Sequence, residues 1–485
     1  MAENVEKTIV KGCARSAFVK ATDAFLGSKY FVAVLALCVL GCNIFGWELY
    51  LYPAVCVVGC YACLFCKDLR CVVPIALFLY VSPSMKNEPS KNPQSVFYPE
   101  HGMWIIALFA ALLVVTLLVR IVLRERRSIF TTKRRLIGGA LALGVAFLVG
   151  GIDGEAYTLQ NLRYIVLLFL SLFGLYYCLT ALIDWKSVEK DYFAWLGLIL
   201  GLTVAAELAF VYIEKWDQIF NENGTIVRWL IFTGWASYNN MGAMLIFCLP
   251  CAFYLAATKK AGWFFNLLGQ VLFAATLFTC SRASIATGAI VYLVCAFILL
   301  GRRQNFKQNF VLYGLLFIAL VASLVVFREE IETVFKFVLD AQVSNNSRWD
   351  IFKQAWLNFL NRPIFGKGFF GWSVYGIGVG DVALLPAMAH NTPLQLLASC
   401  GAVGLGAYAY HRYQTIKLVF RRRSTEKTFL GLCIAAVLIA CLLDCHIFLL
   451  GPGLSYSAFL AFLEKSDEEK GNGLRAPKNA KEMLL

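Results

Sequence analysis

Charge is scarce in this sequence. Only 15% of its 485 residues are Asp, Glu, Lys or Arg, and 60% are hydrophobic, whereas a soluble domain carries about 25% charged residues. No soluble interior is large enough for that apolar excess. The scarcity excludes a soluble enzyme, a disordered chain and a nucleic-acid-binding domain with a membrane tail. Other absences narrow the reading. No small-residue cleavage pattern follows the first apolar run, so Val39-Leu40-Gly41-Cys42 reads as part of a first span and not as a signal. Residues 328–391, the largest soluble segment, contain no cysteine, so no disulfide frames them. The glycines at 366, 368, 371, 376, 378 and 380 lack the Gly-Lys-Ser/Thr ending of a phosphate-binding loop. Neither a nucleotide-sugar site nor a paired-carboxylate metal site is visible. The two halves show no repeat, which speaks against a rocking transporter.

What is present is a series of apolar runs near the length that crosses a bilayer as a helix. They lie at 29–46, 49–66, 70–83, 102–123, 136–152, 163–183, 192–213, 229–257, 262–280, 283–300, 310–327, 392–411, 428–449 and 453–464. The expected fold is an all-α polytopic membrane protein with 12–14 transmembrane helices. The third and last runs are short, and 229–257 is long enough to include an interfacial turn. The net charge of +14 fits basic loops on one side better than nucleic acid. Arg124, Arg126, Arg127, Lys133, Arg134 and Arg135 crowd one loop. Lys259 and Lys260 sit in a second, Arg302, Arg303 and Lys307 in a third, and Arg412 to Lys427 in a fourth. All fall on one side with Lys67, Arg70 and both termini, which the positive-inside rule makes cytoplasmic. The expected organisation is a cytoplasmic segment at 1–28 with an interfacial helix, spans over 29–327, a large extracytoplasmic loop at 328–391, spans over 392–464 and a cytoplasmic tail at 465–485. The 17 cysteines fall mostly in apolar runs. Cys60, Cys63 and Cys66 have ligand-like spacing, but no His or Glu lies nearby, so they read as small buried hydrophobes.

The outer side carries the chemistry. Residues 84–101 read as an irregular loop. Phe352, Ala355, Trp356 and Phe359 recur at helical spacing, Ser347 and Asp350 open the run as a capping box, and Pro363 stops it. This predicts an amphipathic helix over 347–361, lying on the bundle or on the lipid surface. The glycine-rich stretch after it is expected to fold back over the membrane mouth. Arg282 lies in the tight turn Cys280-Ser281-Arg282-Ala283-Ser284, Arg228 opens the span near 229, Arg348 begins the loop helix, and His390 and Asn391 stand where the loop re-enters the membrane. Singly, such residues serve as interfacial anchors. Together they suit a diphosphate held at headgroup level. Arg offers a planar fork of donors that stays charged when desolvated, and a neutral His takes a proton from a hydroxyl. Glu207 and Asp444 read most simply as partners for Arg228 or Arg282.

Three segments then carry a resemblance. They are Ser281-Arg282-Ala283-Ser284; Arg348-Trp349 running on to Pro363-Ile364-Phe365-Gly366-Lys367-Gly368; and His390-Asn391-Thr392-Pro393-Leu394-Gln395, followed by Gly401-Ala402-Val403-Gly404. In this order they resemble the O-antigen ligase and polymerase family of bacterial membrane proteins. A weaker fourth match joins Arg228 to Tyr238-Asn239-Asn240, where the family often has a proline in place of Asn239. The resemblance covers roughly 228–405. It implies a GT-C-like glycosyltransferase of the bacterial cytoplasmic membrane, with its site on the extracytoplasmic face. It further implies an undecaprenyl-diphosphate-linked glycan as donor, a hydroxyl of a glycan, lipid or other cell-envelope component as acceptor, inversion at the anomeric carbon, and neither metal nor cofactor. Carried over, His390 is the candidate base, Arg282 and Arg228 bind the diphosphate, and Arg348, Asn391 and Asn240 contact substrate. Ligase and polymerase both remain open, and a lipid-linked-oligosaccharide flippase is the alternative from another class.

Overall fold

The computed structural model describes residues 17–79, 103–152, 157–220, 226–233, 236–302, 305–326, 328, 342–372, 388–421 and 424–473. The expected loop at 84–101 and Gly376, Gly378 and Gly380 lie outside them. Within them the chain is almost wholly helical. The helices are α1 (Ala17–Leu26), α2 (Lys29–Phe45), α3 (Glu48–Phe65), α4 (Val72–Leu79), α5 (Met103–Arg120), α6 (Arg126–Thr131), α7 (Ile137–Val149), α8 (Leu159–Leu182), α9 (Tyr192–Ile219), α10 (Tyr238–Thr258), α11 (Gly262–Phe278), α12 (Arg282–Leu300), α13 (Phe306–Val326), α14 (Gln342–Asn361), α15 (Thr392–Phe420), α16 (Thr425–Ala440) and α17 (Leu450–Gly473). A hairpin, Phe232–Thr233 against Ala236–Ser237, precedes α10.

Among the described residues, four helices are long and apolar enough to cross a membrane: α8, α9, α10 and α12. The pair α1 and α2, bent by 71°, makes a fifth if taken as one span. Several of the other apolar runs are broken or are described only in part. The run 70–83 is helical over Val72–Leu79, and its last residues lie outside the described ones. The run 392–411 is interrupted inside α15 at Gly401. The run 428–449 ends as a helix at Ala440 and finishes in turns. The run 229–257 does include a turn: Arg228 lies in a 3-10 turn, the hairpin follows, and the helix begins at Tyr238. The loop helix begins at Gln342, ahead of the expected Ser347 cap, and does end before Pro363.

The centre of the bundle is α10, in which every residue from Met241 to Ala257 is buried. A helix apolar all round belongs inside. Close approach comes from small residues: a Cβ on Gly201 would meet Cys248, and one on Gly242 would meet Ser284. These contacts also fix direction. Tyr254 packs on Phe429, and the Cys251 and Cys433 sulfurs stand 3.6 Å apart, so α10 and α16 are antiparallel. Gly242 faces Ser284 and Gly288 faces Ile246, so α10 and α12 are parallel. Gly139 meets His411 while Gly150 meets Ser399, so α7 and α15 are antiparallel. The starts of α10, α12 and α15 and the ends of α7 and α16 therefore share one end of the bundle.

Basic groups mark the other end. Lys259 pairs with Asp191, Lys67 with Asp184 at 3.3 Å, and Arg70 with Asp68 at 2.6 Å. Arg134 donates to Thr180, and Glu464 accepts from the Arg135 amide. The described cysteines form no disulfide, and Cys60, Cys63 and Cys66 are buried, with Arg120 donating to the Cys63 and Cys66 carbonyls.

The break in α15 is met by a segment from outside it. Gly401 has φ +62°, which ends the regular ladder. In an unbroken helix, Ala402 and Val403 would donate to Ala398 and Ser399. Here the Ala402 and Val403 amides donate to the Pro363 and Ile364 carbonyls at 2.8 and 3.3 Å, while Ala398 and Ser399 accept from Lys367 and Gly368 at 2.8 and 2.9 Å. The motif Pro363–Gly368 is thus a splint for a broken helix. Phe369 beyond it is buried against Phe147, Tyr164 and Phe448, and its amide donates to Asn161 Oδ1 at 2.9 Å. Gly366 has φ +66°, and a Cβ there would fall 2.5 Å from Cys400 N. We expect Gly366→Ala to cost at least about 1–3 kcal/mol, read as a lower thermal midpoint in detergent. Gly406→Ala, with nothing within 4 Å of its added Cβ, should leave the midpoint unchanged or raise it. Equal effects would contradict the splint.

Candidate functional site

The shared end of the bundle carries two groups of polar residues. The first is built on the starts of α10 and α12. Cys280 takes a left-handed conformation, φ 53°, and turns the chain sharply into α12. The Ser281 hydroxyl donates to Asn239 Oδ1 at 2.8 Å and lies 3.1 Å from Ser284 Oγ. This ties the two helix starts together and presents Arg282, half-buried, as the first residue of α12. The Arg228 guanidinium sits 5.2 Å from the Tyr238 ring centre. Its charge also reaches Cys280: burial pushes that thiol up, with the Tyr212 hydrogen bond and Arg228 pulling against it. Two cations beside a helix start, where amide groups point outward, form an electropositive corner suited to an anion. The asparagine that holds this corner is Asn239; Asn240 beside it is partly exposed.

The second group is built where α15 begins and α16 ends. His390 has φ 49°, an uncommon conformation held by its neighbours. Asn391 caps α15: its Oδ1 accepts from the Leu394 amide at 3.0 Å, and its Nδ2 donates to the Leu442 carbonyl at 2.8 Å. Both ends of that amide hold the turn. Thr392 donates from its amide to Cys441 O and from its hydroxyl to Asp444 O. These bonds bring His390 Nδ1 to 3.0 Å from Asp444 Oδ1, with the imidazole 35% exposed and the carboxylate 9% exposed. Burial would raise the Asp444 carboxyl. The His390 hydrogen bond, the neighbouring imidazole of His446 and the Cys445 amide outweigh it and hold Asp444 well below the usual carboxylate range.

His446 stands two residues past Asp444, near the end of the 428–449 run, where the sequence assigns it no role. It is fully buried in the turn after Asp444, its Nε2 4.0 Å from Asp444 Oδ2. Burial lowers its affinity for a proton; Asp444 opposes this, and His390 and Arg348 add to it. The Arg348 charge on the half-buried second turn of α14 therefore reaches this group.

Of the two acids singled out in the sequence, Asp444 pairs with a histidine and Glu207 accepts from an asparagine. Asp444 pairs with His390, as its place in the turn next to the start of α15 dictates. Glu207, buried in α9, accepts a 2.7 Å hydrogen bond from Asn43 of α2. Among the described residues no group of three or more His, Cys, Asp or Glu is arranged to hold a metal ion.

Residues 267–409 match the family model described as O-antigen ligase. The matched segment runs from α11 into α15. It includes Arg282, Arg348, His390, Asn391 and the splint, and leaves Arg228, Asn240, Asp444 and His446 outside. Comparison with the curated proteins finds no match. The O-antigen ligase match supports a glycan-transferring role of the ligase or polymerase kind in a multi-pass membrane protein.

Because Asp444 titrates lower in the folded chain than the usual 3.9 or so of a free carboxyl, its contribution to stability is complete above about pH 4 and is lost as pH falls through the folded value. Asp444→Asn should therefore lower the thermal midpoint at pH 7, at a cost of about 1–3 kcal/mol. The gap to the native chain should close in acid below about pH 4. A gap that stays constant with pH would contradict the pairing.

Proposed function

We propose that this protein transfers a glycan from an undecaprenyl-diphosphate carrier to an acceptor hydroxyl on the extracytoplasmic face of the bacterial cytoplasmic membrane. The observation that carries the reading is the His390–Asp444 pair at the same end of the bundle as Arg228 and Arg282, opposite the basic end. The positive-inside rule makes the basic end, with both chain termini, cytoplasmic.

In this reading Asp444 accepts from His390 Nδ1–H and fixes the tautomer, which leaves Nε2 free as the base. The acceptor hydroxyl gives its proton to Nε2 as its oxygen attacks the anomeric carbon. The bond from that carbon to the phosphate oxygen breaks on the opposite face, so configuration inverts. The electron pair goes to the departing diphosphate, whose charge Arg282 and Arg228 stabilise in a partly desolvated setting. Asp444 stabilises the imidazolium that forms. Arg348 contacts the donor from the loop side, Asn240 lies beside it, and Asn391 acts by holding the turn that presents His390. The arginines supply the charge that a metal ion would otherwise provide, so a chelator should leave the rate unchanged.

The test is to reconstitute the purified chain in vesicles with a polyprenyl-diphosphate glycan and candidate acceptors. A longer lipid-linked glycan identifies a polymerase, and transfer off the carrier identifies a ligase. Passage of the lipid across the bilayer with no new bond would contradict the proposal. His390→Ala should lower transfer by about 10²–10⁴-fold while the chain still inserts and binds donor. Arg282→Lys keeps the charge but loses the planar fork, so donor affinity should fall. An unchanged rate in the first variant, or an unchanged affinity in the second, removes that residue from the mechanism.

A further inference from the structure

Helix α14 buries one face and leaves a second, apolar face bare. Ile351, Ala355 and Asn358 are buried, and Ile351 and Ala355 pack in a small core with Trp372, Ala389, Ala398 and Leu394. At about 100° per residue, the opposite side carries Trp349, Trp356 and Leu360 in line, with Phe352 and Phe359 on one flank and Leu357 on the other. Trp349 is 70%, Trp356 46% and Leu360 55% exposed, and Ile364 continues the stripe at 59%. The rings pair along it, Trp349 with Phe352 at 5.9 Å and Trp356 with Phe359 at 5.2 Å. A narrow polar edge of Asp350, Gln354 and Asn361 separates this stripe from the packed face. The helix thus has three sides, one for protein, one for water and one for something apolar.

We propose that the third side rests in the headgroup region of a phospholipid bilayer. Charge and residue type choose this occupant over a second copy of the chain. Across 342–372 there are four cations, Arg348, Lys353, Arg362 and Lys367, and a single acid, Asp350. Two copies meeting through this face would bring like charges together, whereas lipid phosphates complement them. Lys353 falls within the stripe itself, where its hydrocarbon stem lies along apolar surface and its ammonium reaches phosphate. Tryptophan favours the membrane–water boundary. The helix sits at the correct level, because it packs on residues 389–398, beside the start of α15. This inference rests on the placement of α14 and not on the glycan-transfer reading.

The test uses the full-length chain with a photo-crosslinking benzoylphenylalanine in place of Trp349, Trp356 or Leu360 in turn, and in place of Gln354 as the control on the polar edge. These are swaps at exposed positions, so the buried face is untouched. In vesicles of phosphatidylethanolamine and phosphatidylglycerol, irradiation should give phospholipid adducts, read by intact mass, several-fold more at 349, 356 and 360 than at 354. Equal yields at all four positions would overturn the proposal. Adducts to a second copy of the chain in place of lipid would overturn it too, and would assign the face to an oligomer.

Discussion

A helix broken inside an apolar bundle exposes backbone groups that no water can reach, and each such group costs several kcal/mol if left unbonded. In this protein the break at Gly401 frees two carbonyls and two amides, and the segment Pro363–Gly368 meets all four. That single exchange couples the amphipathic helix α14 to the α15 segment that carries His390 and Asn391. It leads directly to Phe369, which packs on Phe448 in the turn after Asp444. The position of the imidazole relative to its carboxylate thus depends on how a gap in a ladder is filled. The glycines of the motif permit the close backbone approach and the left-handed conformations this requires.

The bundle sorts its charges by end. Basic residues with their acid and carbonyl partners hold one end, and the other gathers an arginine corner and an imidazole–carboxylate pair. Helix direction produces this sorting. The central helix α10 runs parallel to α12 and antiparallel to α16, so a serine turn between two helices and a histidine before a third arrive together. The arginines and the imidazole–carboxylate pair thus occupy separate corners of the same end. The helix α14 adds an exposed apolar side beside the same end.

Much of this was legible locally. The turn at Ser281-Arg282 and the stop at Pro363 announce themselves by residue type and spacing. The start of α15 is marked by an asparagine cap followed by proline. The long-range pairings were not legible. His390 and Asp444 are 54 positions apart, and Asn43 and Glu207 are 164 apart. An acid in a run of apolar residues suggests that a partner exists without saying which. His446 gave no signal because an isolated imidazole in such a run looks the same whether it packs or functions. Hydropathy is likewise blind to where an apolar run breaks. Hydropathy measures what a run is made of, while Gly401 and the turns after Ala440 decide whether it stays one helix. The splint motif was recognisable as a pattern, but its role depended on a partner segment thirty-odd residues away.

The central claim is that the end bearing Arg282 and His390 receives a lipid diphosphate. The most direct measurement is an experimental density map of the protein in a lipid nanodisc with undecaprenyl diphosphate bound. The account predicts two phosphates within hydrogen-bond reach of the Arg282 and Arg228 guanidinium groups, with the isoprenoid chain running out between helices into lipid. Phosphates bound at the opposite end, among Arg70, Arg134 and Lys259, would contradict it.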